Sequence, residues 1–358
     1  MSMQGWLSGS HGDAWIAQLE RIEWKENELL LLLAASASQA ALPVVWQWAR
    51  DKGVALAGSL FPALIQGESV AKEGACWLRL TLAAPLLPLY PKQEEPPWRH
   101  DVQNTTAFLL FNCQRGETEH LLEVLYDYLG HSICCIGAVG ECDLTKTDTS
   151  LFTQDGWCEA AGLAVFAACG LHTSRGYGFS SLPDVLIVTK AEKNHILELN
   201  WQTAQAAYQG VLAAHGLTLD DFGHYPLGIV REESVDLVRS IVEMTEDGGL
   251  ICAGEVPENA VLSVLVAEEE SMAASAAAAA AEVEVAAAQG ALIVNCYARA
   301  QLEGPIFTKE LSSIRENLRR RNPKLDALYG VLSYGEIVLP SDGILELCNK
   351  TVVIGVMV

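Results

Sequence analysis

The stretch ALIVNCYAR (291–299), continued by TKELSSIRENLRRR (308–321) and ALYGVLSYGE (327–336), decides the fold. An apolar run ends in small and polar residues, an amphipathic segment follows, and a second apolar run stops at glycine. Such an order reads as strand, crossover helix and parallel strand, right-handed and covered by its helix. The same unit occurs twice upstream. LLLLLAAS (29–36), VVWQWARDKG (44–53) and VALAGSLFP (54–62) make one copy. AFLLFNCQRG (107–116), HLLEVLYDYLG (120–130) and ICCIGAVGE (133–141) make the other. Elsewhere the pattern is antiparallel: VLIVTKAEKNHILEL (185–199) is a hairpin around a polar turn at Glu192 to Asn194. WQTAQAAYQGVLAAHG (201–216) is a helix ending near Gly216. The expected class is therefore α/β, with mixed sheets covered by helices, in two related and closely packed domains.

LTLDDFGHYPL (217–227) carries acidic, Gly and Pro punctuation without a core period, which puts one domain at 1–222 and a second at 223–358. Beyond it, VDLVRSIVEM (235–244) and GGLICAGEVPENAVLSVLV (248–266) read as strands. EEESMAASAAAAAAEVEVAAAQG (268–290) reads as a helix, because alanine leads the helix propensities and acids favour its N-terminus. Methyl side chains there suit a tightly packed surface helix, which is the preferred reading; the alternative is that they let a flat ligand or another helix come close.

With half of 358 residues apolar, the chain has ample core. Its 23 basic and 45 acidic residues give a net charge of -22, which repels phosphate and anionic headgroups. Nucleic acid and acidic membranes are thus poor partners. The segment from Leu29 to Ala49 is apolar enough to mimic a membrane span, but its change from leucine run to Ser/Gln/Pro-punctuated stretch fits a strand followed by a helix. The start, MSMQGWLSGSHGDAW, lacks a basic-then-apolar leader, so the expectation is a cytoplasmic protein with mostly reduced thiols. Ten cysteines fall singly or as the pair Cys134 and Cys135, with no CxxC and no zinc spacing. Cys134 and Cys135 with Cys142 suggest redox chemistry, against which stands the strain of bridging adjacent cysteines.

Ligands of parallel sheets commonly sit at strand ends, which here carry Asn112, Cys113 and Arg115 in one copy and Asn295, Cys296 and Arg299 in another. An arginine in such a loop holds a carboxylate with two charge-assisted hydrogen bonds. The plainer reading makes the cysteines core residues and the arginines surface cover. Ser333, Tyr334 and Glu336 follow a buried strand and offer a polar end for a pocket, or else a tight structural turn with Glu336 solvated. Arg175 and Tyr177 flank Gly176 in a loop suited to anions or rings. His131 precedes a buried strand and His172 follows one, which makes them the better metal or haem candidates among eight histidines. There is no GxSxG, GxxxxGK[ST] or HExxH, nor a GxGxxG opening a helix, so the chain does not read as an enzyme; an uncharacterised enzyme stays as an alternative.

GALIVNCYARAQLEGPIFTKELSSIRENLRRRNPKLDALYGVLSYGEI (290–337) and LELCNKTVVIGV (345–356) resemble the C-terminal FIST domain, with its GxxSxGEI turn and Asn-x-Thr near the end. GAVGECDL (137–144), SRGYGF (174–179), the 185–199 hairpin and the helix through Tyr208 are similar to the N-terminal FIST domain. The resemblance implies a soluble sensory protein that binds a small-molecule ligand and signals in trans to a histidine kinase, chemoreceptor or cyclic-dinucleotide enzyme. One branch of the family resembles haem-binding sensors of nitric oxide, which would make haem the cofactor, with His131, His172 and Cys348 as its candidate ligands. Two positions depart from the family pattern: Arg175-Gly176-Tyr177 stands where His-Gly-Trp is frequent, and Cys348 where a His often precedes the Asn-x-Thr. A ligand-free interaction protein is the remaining alternative.

Overall fold

The computed structural model describes residues 3–92, 102, 105–113, 117–130, 133–143, 148–231, 237–267, 269–339 and 343–358. Among them the strands form three six-stranded sheets and one of nine. Each six-stranded sheet grows around one crossover unit. Glu28–Ala35 pairs in parallel with Ala55–Phe61, Thr106–Phe111 with Cys134–Val139, and Gly290–Cys296 with Tyr329–Ser333. The intervening helices are Leu42–Lys52, Thr118–Leu129 and Phe307–Arg321. Antiparallel neighbours then widen each sheet, so all three are mixed.

The leucine run shows why these strands are apolar without a break. Leu29, Leu31 and Leu33 enter a central cluster with Phe108, Leu110, Ile136, Val294, Val331 and Val353, where the three sheets meet. Leu30, Leu32 and Ala34 face the other way, beneath Trp15, Val45 and Trp48 of the covering helices. A strand buried on both faces has no polar side to show in its sequence. The other two units divide likewise: Leu109 and Phe111 pack under Leu121 and Leu125, and Ala291 and Ile293 under Leu311 and Leu318. Each fully buried leucine contributes about 1.5–3 kcal/mol. The Leu29 to Ala49 segment is thus strand, 3-10 turn (Ser36–Ala41) and helix. Among the described residues no helix is long and apolar enough to cross a membrane.

The alanine-rich segment is helical over Glu269–Glu282 and lies on the strand Leu171–Gly176 and the loop after it. A Cβ at Gly176 would stand 3.0 Å from the Ala276 Cα, and one at Gly178 2.5 Å from the Met272 Cα. Backbone therefore packs on backbone, and that contact occupies the face a flat ligand would need.

The hairpin forms as expected, Leu186–Glu192 against His195–Leu199, and the helix Ala204–Ala214 covers it through the buried Tyr208. Around it the nine-stranded sheet collects Leu250–Cys252 and Val261–Ala267 from later in the chain. Three of the four sheets take strands from both sides of 222/223. Val352–Met357 pairs with Leu171–Gly176, and Gly335–Val338 with Cys134–Val139.

Candidate functional site

Tyr334 marks the place where the chain leaves one sheet, as Tyr329–Ser333, and enters another, as Gly335–Val338. Its N–H donates to the Val139 carbonyl at 3.1 Å. This crossing carries the end of the third unit to the end of the second. There Cys113 and Cys142 follow neighbouring parallel strands and are joined as a disulfide, with a Cα–Cα distance of 5.2 Å. Glu117, in the left-handed region at φ 62, then turns the chain into the helix Thr118–Leu129. Opposite stands the hairpin turn. Lys193 takes φ 56, Val256 N–H donates to its carbonyl at 3.0 Å, and Asn194 Nδ2 donates to the Cys252 carbonyl at 2.9 Å. Between these elements lies a cavity of about 470 Å³, lined on one side by the disulfide, Tyr334 and Glu119 and on the other by Lys193, Cys252 and Glu255.

The buried Arg239 ties this region together. Its Nε donates to the Glu255 carbonyl at 2.9 Å, its Nη1 to the Leu347 carbonyl at 3.1 Å, and its Nη2 lies 3.6 Å from Glu119. Glu119 Oε1 in turn accepts the Glu255 N–H at 2.8 Å. Glu117, Glu119 and Glu255 against Lys193 make the lining acidic. Burial pushes the Glu255 carboxyl above its ordinary pKa, the Glu119 charge adds to this, and Lys193 opposes it. Burial also raises the Tyr334 phenol, with Glu141 contributing. The apolar part of the lining comes from Val139, Val242 and Leu347, and Asn349 adds an amide.

The residues singled out from sequence fall into three groups. Cys113 and Tyr334 line the cavity. Asn112, Asn295, Cys296, Arg299, Ser333 and Glu336 lie buried beneath the strand ends. Arg299, fully buried, donates to Glu310 Oε2 from Nε and Nη2 at 3.1 and 2.7 Å, and to the carbonyls of Tyr177, Lys350 and Met272. Asn295 Nδ2 holds the other Glu310 oxygen at 2.6 Å. This arginine is an internal tie between two helices and two loops, and every donor it has is engaged. Glu336 accepts from Ser333 Oγ at 2.7 Å and from Thr351 N and Oγ1 at 3.2 and 2.9 Å. Burial raises its carboxyl to about 8. The turn is therefore closed on itself, and Glu336 is not solvated.

Arg175, Tyr177 and Cys348 form the third group, around a second space of about 40 Å³, room for roughly one water. Arg175 pairs with Glu346 at 2.6 Å, Arg231 holds the other Glu346 oxygen, and the Cys348 thiol is pushed up to about 11 by burial. Asn349 lines both spaces. His172 is exposed on its strand and lines neither. Arg115 and His131 lie outside the described residues. Among the described residues no group of three His, Cys, Asp or Glu side chains is placed to hold a metal ion.

Sequence reasoning missed Glu117, Glu119, Lys193, Asn194 and Glu255. The one signal available was the Glu192 to Asn194 turn, which local pattern marks as a hairpin tip and nothing more. No curated protein matches the chain. A model of the FIST N domain matches residues 19–202, and one of the FIST C domain matches residues 204–338. Together they span most of the chain, which therefore belongs to the FIST domain family, whose domains are associated with signal transduction and small-ligand sensing.

Proposed function

We propose that the 470 Å³ cavity is the ligand site of a sensory protein, and that its ligand is a small polar molecule with a cationic end. The observation that carries this reading is the lining. Glu117, Glu119 and Glu255 face Lys193, with Arg239 behind Glu119 offsetting one of the carboxylates, so the lining keeps an acidic excess, while Val139, Val242 and Leu347 supply an apolar wall. An ammonium group beside Glu255 offsets the burial and the Glu119 charge that disfavour its ionised form. The volume lies within the range of about 300–1,000 Å³ usual for small-molecule sites. Cys113, Glu119 and Lys193 fall in the FIST N match, Glu255 and Tyr334 in the FIST C match. A ligand touching both sets changes how the two parts hold one another, and that is what a partner reads. The partner acts in trans: a histidine kinase, a chemoreceptor or a cyclic-dinucleotide enzyme.

These residues do not fit haem. Its propionates are anionic and would meet the same three carboxylates. His172 stands exposed outside the lining, and Cys348 is a buried thiol held protonated. Thermal shift against primary amines, amino acids and matched carboxylates tests the proposal. A ligand at about a hundred times its Kd adds roughly 2.7 kcal/mol to stability. Amine-bearing compounds are expected to raise Tm and carboxylates alone to leave it unchanged; the reverse order refutes the cationic reading.

A second reading, an interaction protein working without ligand, has one observation in its favour. Ile187 faces Val261 across paired strands of the nine-stranded sheet; both are exposed, as is Val185 beside them, and Trp201 in the turn after the hairpin is 78 % exposed. Partner binding that survives filling of the cavity by Val242→Trp, a substitution at an exposed lining residue, would favour it.

A further inference from the structure

The Cys113–Cys142 bridge lies where two neighbouring strands end, with Cys113 at the margin of a core cluster. Phe111 and Val139 are paired across the parallel strands, and the two cysteines follow them by two and three residues. Both are only partly buried and both line the cavity. The bridge closes a loop with a sequence separation of 29 that contains the helix Thr118–Leu129. It thereby fixes the start of that helix, with Glu117 and Glu119, against the segment after Val139. That segment also holds Glu141, which accepts from Ser36 Oγ at 3.0 Å and bonds the Tyr334 phenol. The other eight cysteines are free. Of these, Cys252 also lines the cavity, but burial raises its thiol to about 12, so it is no thiolate to attack the bridge.

We propose that Cys113 and Cys142 are a redox-active pair: the disulfide locks the helix-side wall of the cavity, and its reduction by a small dithiol releases that wall. The regulatory half of this inference rests on the cavity being the ligand site. In the reaction a thiolate of the dithiol attacks one bridge sulfur, and the other sulfur leaves as a thiolate and takes a proton. The second thiolate of the reductant then displaces the mixed disulfide. The protein gains two electrons and two protons, and the dithiol departs as its disulfide; oxidised glutathione reverses the exchange. Glu117, Glu119 and Glu255 against Lys193 line the approach, so the glutathione thiolate, which carries a further net negative charge from its carboxylates, is repelled more than the thiolate of an otherwise uncharged dithiol. Neutral dithiothreitol should reduce the bridge faster than glutathione at equal thiolate, and salt should narrow the difference.

The experiment uses the full chain, first treated with oxidised glutathione. Alkylation and peptide mapping are performed with and without dithiothreitol, alongside hydrogen exchange over the first turns of Thr118–Leu129. The expected result is two further alkylated sites on reduction, Cys113 and Cys142, and several-fold faster exchange in that turn. Cys113→Ser and Cys142→Ser should each match the reduced protein, and Cys134→Ser the oxidised one. Alkylation of both residues without reductant, or exchange unaltered by reduction, overturns the inference. Neither readout involves a ligand, so it can fail while the amine thermal shift stands, and the reverse also holds.

Discussion

Replacing Glu336 by Gln should make the protein more stable at neutral pH, and the gain should fade as pH falls. Glu336 is fully buried, and burial raises its carboxyl from 4.5 to about 8. The Ser333 hydroxyl donates to Oε1 when the carboxyl is ionised; when it is neutral the hydroxyl turns to the Asn295 carbonyl at 3.4 Å and accepts Oε1–H across the same 2.7 Å, while Oε2 accepts both Thr351 donors. A glutamine amide repeats this pattern, with Nε2 in place of Oε1. Because the folded pKa is raised, the stabilising effect of the carboxyl is full below the unfolded value of 4.5 and is lost as pH rises toward about 8. Between pH 5 and pH 7 the unfolded chain releases a proton that the folded chain keeps. At about 1.36 kcal/mol per pH unit, this costs the native protein on the order of 2–3 kcal/mol. Glutamine does not titrate. For a chain of this length the Tm difference between Glu336→Gln and the native protein should widen by roughly 3 °C from pH 5 to pH 7. Melting curves by circular dichroism at pH 5, 6 and 7 give that difference. A constant gap, or one that narrows as pH rises, refutes the claim that Glu336 is held neutral.

Arg299→Ala leaves Glu310 charged, buried and held by Asn295 alone, and should cost about 3–5 kcal/mol, roughly 5 °C in Tm. A surface arginine, as the plainer sequence reading had it, would cost less than about 1 kcal/mol. Gly178→Ala places a methyl 2.5 Å from the Met272 Cα at φ +83, so the alanine-rich helix must shift and the soluble yield should fall. Gly53→Ala, at φ +66 with open space around it, is the control and should cost only about 1–2 kcal/mol.

The three crossover units were legible because each is local: a run buried on both faces, an amphipathic helix and a second run lie within about fifty residues of one another. Pairing across the chain was not. Nothing in VVIGVMV announces that Val352–Met357 sits between Leu171–Gly176 and Gly290–Cys296, since any apolar strand satisfies the same periodicity. The site shares that difficulty. Arg299 carries the residue type and strand-end position of a ligand-binding group, and only its tertiary partners reveal an internal tie. Cys113 and Tyr334 were found because they too sit at strand ends. Glu119, Lys193 and Glu255 come from a helix start, a hairpin tip and a loop, which fold brings together and spacing does not. The bridge partner of Cys113 was hidden for the same reason: the parallel register of two strands, not a motif, brings Cys142 to it.

The most direct measurement of the central claim is a calorimetric titration of native protein and Glu255→Gln with the amine giving the largest thermal shift, at pH 5 and pH 8. Native protein should bind with one-to-one stoichiometry, more tightly at pH 8, because a carboxyl whose pKa is raised, as that of Glu255 is, is more fully ionised there than at pH 5. Glu255→Gln should bind about tenfold more weakly at pH 8, ~1.4 kcal/mol, and lose most of the pH dependence. Equal affinity in both proteins at both pH values would contradict a cationic ligand seated against Glu255 in this cavity.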